Sequence, residues 1–362
     1  MSPPLTLLLL AACRPPDPGF HPGVHALEDS STPTDDSASP DDTADSGHAA
    51  PPMRPHGPPF ACIRSIWPDY GVPARDPGRD ATDSRPEAPS PLPHECRLWA
   101  ATSAALPPAL LQAHLVDLPD AIKALGAAND DGWGLGWWPP GQPTPEIRRG
   151  QAPATEDPFF DDAVTQAQAD TPTVAVAHVR ACSSGLCDLP DPHPFAMDLL
   201  GRRWLLGHNG TIEKSLLLAL IDPDFLADHP PQNGTNEAEW IDSELYLRLL
   251  LQQIQAEGGQ VEEAIREVVW RLHAGPGRVS GANFFLSDGA TLWAYRDGNT
   301  LSYFYDDYVA PCAAVASDFP TESRGRWIKL EDGQLVVLHP DRAPDLLQIW
   351  WKQDEGDGTA PD

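Results

Sequence analysis

The sequence lacks an apolar run of about 18 residues, the length that a membrane-spanning helix requires. That absence excludes a polytopic membrane protein. Basic residues are scarce, because 24 Lys and Arg stand against 53 Asp and Glu, for a net charge of −29. So acidic a chain repels phosphate backbones, which disfavours nucleic acid as a partner. The sequence also has no CxxC pair and no histidine cluster with zinc spacing, so we predict no metal and no other cofactor.

Proline is abundant, and it is unevenly distributed. Of 42 prolines, 20 lie in residues 1–95, where they prevent regular helices and central strands. Residues 28–45 add seven acidic side chains among Ser, Thr and Pro. Low hydrophobicity with uncompensated charge predicts a disordered tether or propeptide over residues 13–95. We expect one globular domain over residues 96–345 and a C-terminal tail over residues 346–362.

The N-terminus carries an apolar stretch over residues 5–12, followed by Cys13. The tetrad Leu-Ala-Ala-Cys that ends at Cys13 resembles the lipobox of bacterial lipoproteins. The resemblance implies that residues 1–12 are a signal segment, that Cys13 is lipidated, and that the protein is exported and anchored to the cell envelope by lipid. The segment before the apolar stretch has no Lys or Arg, unlike a typical signal. Without a functional signal, the location would be cytoplasmic.

Beyond residue 95 the hydrophobic pattern indicates grouped strands and helices. Strands are expected over residues 173–179, 203–208, 313–317 and 335–338, and Asp288-Gly289-Ala290 predicts a hairpin between residues 283–287 and 291–296. Helical spacing predicts helices over residues 242–256 and 261–272. Because the strands come in groups, the pattern favours an α+β layered fold over a doubly wound sheet.

Eight motifs follow one another in the globular region. They read CRLW, DGWGLGWW, AHVRACSSG, HPF, RWLLGHNG, DSELYLRLL, FFLSDGATLWAYR and VASDFPTES. In this order they resemble the class II glutamine amidotransferases, which are N-terminal-nucleophile hydrolases, and above all the stand-alone, single-domain branch. The resemblance implies a four-layer αββα sandwich. It also implies a small-molecule substrate, glutamine or a γ-glutamyl compound; no protein partner is identifiable.

The resemblance assigns catalytic roles to three residues. Cys96 would be the nucleophile that forms a γ-glutamyl thioester. Asn209 and Gly210 would supply the oxyanion-hole donors. Taken alone, Cys96 would more often be a buried structural cysteine, and Asn209-Gly210 an ordinary turn.

Four further residues are assigned to substrate binding by the same resemblance. Arg180 would bind the substrate α-carboxylate, and Asp242 its α-ammonium group. Trp133 and Gly134 would shape the floor of the glutamine pocket. Taken alone, Arg180 would be a salt-bridged strand end, and Asp242 a helix N-cap.

Cys96 departs from the family pattern because it is internal. In the family the base is the α-amine of the nucleophilic cysteine itself, whereas here Glu95 precedes Cys96. Either the chain is cleaved between Glu95 and Cys96, or the site lacks its usual base. His94 is a candidate to replace the α-amine as the base, but we give this hypothesis little weight.

Four cysteines remain after Cys13 and Cys96 are assigned. Cys62, Cys182, Cys187 and Cys312 are candidates for disulfides, with three pairings open. We hypothesise that Cys62 pairs with a cysteine of the globular domain. Such a bond would keep a cleaved enzyme joined to its anchor.

The leading functional hypothesis is an amidohydrolase that converts glutamine, or a γ-glutamyl amide or peptide, to glutamate with release of ammonia or an amine. The alternative is a catalytically silent lipoprotein with the same fold that binds a ligand or partner. A third hypothesis, of low weight, is a cysteine peptidase-like enzyme with His94 or His178 as its base.

Overall fold

The apolar segments of the globular region form antiparallel strands in the computed structural model. The structure describes residue 62 and residues 96–182, 193–232, 236–317 and 327–350, all within the compact unit Gly57–Asp362. The predicted signal segment, Cys13 and almost all of the predicted tether lie outside the described residues. No helix among the described residues is long and apolar enough to span a bilayer.

The first sheet has seven strands in the described part of the chain. Strand labels follow chain order. Across the sheet they are β11 (Ile328–Lys329), β9 (Ser302–Asp306), β10 (Cys312–Ala316), β1 (Arg97–Ser103), β4 (Val174–Val179), β2 (Trp133–Trp137) and β3 (Glu146–Gly150). β1 lies at the centre, where it pairs with β10 on one side and β4 on the other. The residue before β1 is Cys96, so this cysteine stands at the end of a central strand.

The second sheet has six strands among the described residues. Across the sheet they are β13 (Asp345–Gln348), β12 (Gln334–Leu338), β8 (Leu292–Tyr295), β7 (Val279–Ser287), β6 (Arg202–Ile212) and β5 (Phe195–Leu199). The predicted hairpin joins β7 to β8. Its turn is held because the Asp288 carboxylate accepts hydrogen bonds from the backbone N–H groups of Ala290 and Thr291, while Gly289 adopts a φ of 87°.

Seven α-helices are described. They are α1 (Pro108–Gln112), α2 (Ile122–Leu125), α3 (Pro158–Asp170), α4 (Lys214–Leu220), α5 (Pro223–Asp228), α6 (Asp242–Ala256) and α7 (Val261–Ala274), and a π-helical turn over Ala113–Asp117 continues α1. The predicted helix over residues 242–256 is confirmed with the same bounds, and the next one extends two residues further than predicted. The glycine pair after α6 separates the two helices.

Three hydrophobic layers hold the sheets and helices together. Leu98, Val176 and Phe285 belong to the layer between the two sheets. Trp99 and Phe160 belong to the layer between the first sheet and helices α1–α3, whereas a larger layer packs α4, α6 and α7 on the second sheet. The order is therefore helices, sheet, sheet, helices. The predicted α+β, four-layer αββα fold is confirmed.

Both ends of the predicted globular domain differ from the structure. Upstream, Cys62 is fully buried in the layer under the first sheet and forms a disulfide with Cys312 on β10. Downstream, β13 pairs with β12 and Ile349 is buried, so the folded unit continues past the predicted boundary at 345 to residue 350. The upstream contact rests on the single residue Cys62, and β13 has only four residues, so neither carries a periodic pattern of its own.

Candidate active site

A small polar cavity lies where β1, β4 and β6 approach the start of α6. Its volume is about 20 Å³, room for about one water molecule. The residues that border it are Cys96, Arg180, Ala181, His193, His208, Gly210, Ile241, Asp242 and Ser243. The cavity thus unites four of the seven sequence-predicted catalytic and substrate-binding residues, which lie up to 146 positions apart in the chain.

Cys96 presents a protonated thiol to this cavity. Its Sγ donates a hydrogen bond to the backbone carbonyl of Ala181 at 3.4 Å. Burial raises the pKa of the Cys96 thiol to about 11, although the Ala181 hydrogen bond and the Arg180 charge oppose the shift. In the continuous chain, therefore, the sulfur needs a base before it can act as a nucleophile.

Arg180 and Asp242 bring opposite charges to the same cavity. Arg180 follows β4 directly, is 4% exposed, and is fixed through its backbone, whose N–H donates to the Gly132 carbonyl at 2.9 Å. Asp242 is the first residue of α6, and its Oδ2 accepts a hydrogen bond from the Ile212 backbone N–H at 3.0 Å. Ile241, not Asp242, is the N-cap of α6. The Asp242 carboxylate instead links the helix to β6.

Asn209 and Gly210 lie next to each other on β6, and Asn209 is not among the residues that border the cavity. Gly210 borders the cavity, has a φ of 152°, and allows no side chain, because a Cβ there would lie 2.0 Å from the Gly281 carbonyl oxygen. Asn209 is buried, and its Oδ1 accepts a hydrogen bond from Asn299 Nδ2 at 2.9 Å. An amide whose oxygen is held in this way keeps its nitrogen as a donor.

Three buried histidines lie at or near the cavity, and only His178 was assigned a role from the sequence, as the base of the peptidase-like alternative. His193 and His208 border it, and the His178 ring lies 4.1 Å from the His193 ring, centroid to centroid. Burial lowers the pKa of all three imidazoles. The pKa of His178 falls to about 3, and the positive charge of Arg180 is the second cause of that shift. All three rings are therefore neutral at pH 7. In the sequence, the sign that these histidines belong to the site was their position in the motifs AHVR, HPF and HNG.

His208 connects the cavity to helix α6. Its Nδ1 lies 2.8 Å from the Ser243 hydroxyl, and its Nε2 lies 3.4 Å from the Gly281 carbonyl oxygen. Ser243 follows Asp242, so the contact fixes the helix start beside β6. Neither residue was assigned a function from the sequence.

The structure corrects the prediction for Trp133. Its indole lies in the layer between the first sheet and α3, where Nε1 donates to Asp157 at 2.9 Å and the ring packs edge-on against Phe160. The neighbouring Gly134 faces the other way, because β-strand residues alternate, and a Cβ there would lie 1.7 Å from the His193 carbonyl oxygen. Gly134 therefore supports the cavity indirectly, through His193.

The other predicted cysteines have mixed outcomes. Cys62 and Cys312 are bonded to each other, and Cys96 is the free cysteine among the described residues. Cys182 is also disulfide-bonded, with a partner that is not among the described residues. Cys187 lies outside the described residues. The described part of the chain holds no group of three or more potential metal-ligating side chains.

Comparison with known proteins identifies the family. A sequence model described as glutamine amidotransferases class-II matches residues 120–311, more than half of the chain. The protein therefore belongs to the class II glutamine amidotransferases. Arg180, Asn209, Gly210 and Asp242 lie inside the matched region, whereas Cys96 lies before it.

One curated relative and two solved structures extend the comparison. A Haemophilus influenzae protein named as a predicted glutamine amidotransferase is 24% identical over 186 residues, which are 45% of this chain and 59% of that protein. The chain thus spans less than two thirds of that relative.

Glutamine phosphoribosylpyrophosphate amidotransferase from B. subtilis has a similar fold, with a TM-score of 0.51, 14% identity and coverage of 71% of this chain and 50% of that one. A structure described as the allosteric regulatory enzyme of purine biosynthesis gives a TM-score of 0.51 at 15% identity, with the same coverage. At these identities the likeness concerns the fold alone.

Proposed function

We propose that the protein is an amidohydrolase that cleaves the side-chain amide of glutamine, or of a γ-glutamyl compound, through a thioester on Cys96. The single observation that carries this proposal is the convergence of a thiol, a guanidinium and a carboxylate on one cavity. An α-amino acid carries one carboxylate and one ammonium group. Arg180 complements the first and Asp242 the second, while the side-chain amide is left to face Cys96.

The reaction needs a base for the Cys96 thiol, because burial raises the pKa of that thiol to about 11. Cleavage between Glu95 and Cys96 would supply one. It would convert the Cys96 amide nitrogen into an amine with an ordinary pKa of about 8, which can accept the thiol proton at neutral pH. Glu95 and His94 lie outside the described residues.

The chemistry then proceeds in two steps. The thiolate attacks the amide carbon, and the resulting oxyanion accepts hydrogen bonds from the Gly210 N–H and from Asn209. The protonated amine transfers its proton to the leaving nitrogen, ammonia or an amine departs, and a thioester remains. Water, activated by the same amine, attacks the thioester and releases the γ-carboxylate.

A histidine base is a weaker hypothesis. Among the described residues, the hydrogen-bond acceptor of the Cys96 thiol is the Ala181 carbonyl and not an imidazole. Burial also lowers the pKa of His178 to about 3, which makes it a poor proton acceptor at neutral pH.

We also propose that the protein is exported and held at the cell envelope by lipid on Cys13. Support comes from the sequence, namely the apolar residues 5–12 followed by Leu-Ala-Ala-Cys. An exported enzyme would not meet a cytosolic acceptor of ammonia, so hydrolysis is favoured over biosynthetic transfer. Labelling of cells with a clickable fatty acid should mark the wild type and not Cys13→Ala; equal labelling of both would contradict lipidation at this cysteine.

The catalytic proposal is tested by controlled cleavage of the full chain. A protease recognition sequence that replaces residues 90–95 allows cleavage directly before Cys96 and keeps the Cys62–Cys312 disulfide. We expect release of glutamate from glutamine only after cleavage, and none from the cleaved Cys96→Ala variant. Glutamine binding without turnover in the cleaved wild type would favour the alternative, a catalytically silent binding protein.

A further inference from the structure

We infer that Asn299, on the loop after β8, is a positioning residue that fixes the amide of Asn209 in the orientation needed for an oxyanion-hole donor. The inference rests on the proposed function. It assigns a role to a residue that does not itself border the Cys96 cavity.

The central contact is between two amide side chains. Asn299 Nδ2 donates to Asn209 Oδ1 at 2.9 Å, and the same nitrogen lies 3.4 Å from the Asn209 backbone oxygen. An amide can turn by 180° and exchange its oxygen and nitrogen with little change in shape. A donor placed against Oδ1 stabilises only one of these two orientations. In that orientation Nδ2 occupies the opposite branch of the Asn209 amide, where it can donate.

The loop that carries Asn299 is held by contacts to its backbone. Asn283, fully buried on β7 and paired with Asn209 in the sheet, donates from Nδ2 to the Asn299 carbonyl oxygen at 2.9 Å. The Asn283 Oδ1 accepts from the Asp297 N–H at 2.7 Å. Arg296 Nε adds a second hydrogen bond to the Asn299 carbonyl, at 3.0 Å. Substitution of the Asn299 side chain therefore leaves the supports of the loop in place.

Aspartate at position 299 tests the orientation without a change in size. A carboxylate only accepts hydrogen bonds, so it favours the reversed Asn209 amide, with Nδ2 turned toward position 299. We expect Asn299→Asp to lower kcat by about 100-fold, comparable to loss of one oxyanion-hole donor, with KM for glutamine little changed. Asn299→Ala, which favours neither orientation, should lower kcat by about 10-fold.

The experiment measures kcat and KM for glutamine in the cleaved full chain, together with alkylation of Cys96 by iodoacetamide. Alkylation occurs at a saturated carbon and forms no oxyanion, so its rate should be the same in wild type, Asn299→Asp and Asn299→Ala. Thr300→Val is the matched control, because it removes the 3.1 Å hydrogen bond to the Ser317 carbonyl from the same loop without touching Asn209. This variant should retain the wild-type kcat.

The outcomes separate the two proposals. A fall in kcat for both Asn299 variants, with unchanged alkylation and an unchanged Thr300→Val variant, supports the inference. Wild-type kcat in a folded Asn299→Ala variant overturns it while the amidohydrolase proposal stands. Slow alkylation in parallel with slow turnover would indicate general damage to the site and would also overturn it. A cleaved wild type that releases no glutamate overturns the proposed function, and this inference with it.

Discussion

At the scale of single residues, the cavity combines a thiol that resists ionisation with imidazoles that resist protonation. Both effects have burial as their largest cause, since burial disfavours the charged form of any group. At pH 7 a thiol with a pKa of about 11 is ionised in about one molecule in 10,000. In the continuous chain Cys96 therefore carries a neutral thiol, and the proposed cleavage would place an amine beside it.

The neutral histidines should make stability depend on pH. Unfolded, His178 binds a proton below a pH of about 6.5, whereas folded it does so only near its pKa of about 3. Acidification through this window therefore favours the unfolded state, by about 1.4 kcal/mol per pH unit for this residue. Urea denaturation at pH 7, 6 and 5 should show a shallower loss of stability in His178→Asn than in the wild type.

Parallel curves for wild type and His178→Asn would contradict the assignment of a neutral buried imidazole at position 178.

Site residues were predictable from the sequence where a short motif carries them to a strand end. Arg180 follows the buried strand β4, and Gly210 lies on β6, so each enters the cavity by strand geometry alone. Asn299 was not predictable, because its contact with Asn209 joins residues 90 positions apart and depends on a loop held by Asn283. Trp133 was misplaced, because the alternation of side chains along β2 was not carried through to the two faces of the sheet.

At the scale of elements, the glycines of β2 allow the cavity to form. Gly134 lies where the chain at His193 crosses the strand, and a Cβ there would come within 1.7 Å of the His193 carbonyl oxygen. Because the obstacle is backbone, a side chain at this position cannot be accommodated by a change of rotamer. The alternation of glycine with apolar residues in DGWGLGWW thus has a packing cause.

Replacement of Gly134 by alanine should destabilise the fold and displace His193. We expect a loss of about 2–4 kcal/mol in the free energy of unfolding, typical of severe overpacking. Denaturation by urea measures it. Gly141→Asn is a suitable control, since no atom lies within 4 Å of a Cβ there and asparagine tolerates its φ of 74°. A Gly134→Ala variant as stable as this control would contradict the close approach of the His193 backbone to Gly134.

Periodicity predicted the elements well where the chain is regular. β4 and α6 have continuous or helically spaced apolar residues, and both lie where the pattern indicates. The edge strands β11 and β13 were not predictable. They contain two and four residues and exist because β9 and β12 offer free edges to them.

At the scale of the whole molecule, the Cys62–Cys312 disulfide joins the segment before Cys96 to the globular domain. Cys62 lies 34 residues before Cys96 in the chain. Its partner Cys312 lies on β10, and β10 pairs with β1, the strand that begins immediately after Cys96. Cleavage before Cys96 would therefore leave two chains linked by the Cys62–Cys312 bond. If Cys13 is lipidated, that bond would keep the enzyme at the membrane.

Electrophoresis of the cleaved protein tests this arrangement. Without reductant the cleaved wild type should run as one band near the mass of the whole chain, and with reductant as two. Cys312→Ser should give two bands under both conditions. Two bands for the cleaved wild type without reductant would contradict a disulfide between the two fragments.

If Cys96 acts as an N-terminal nucleophile, the active chain must begin at this residue. Intact mass of the reduced mature protein, taken on the sample assayed for glutamate release, shows whether its catalytic chain begins at Cys96. Glutamate release should rise in proportion to the fraction of the chain that begins at Cys96. Full activity in a chain that is continuous through Glu95 and Cys96 would contradict it, as would a fully cleaved chain that releases no glutamate.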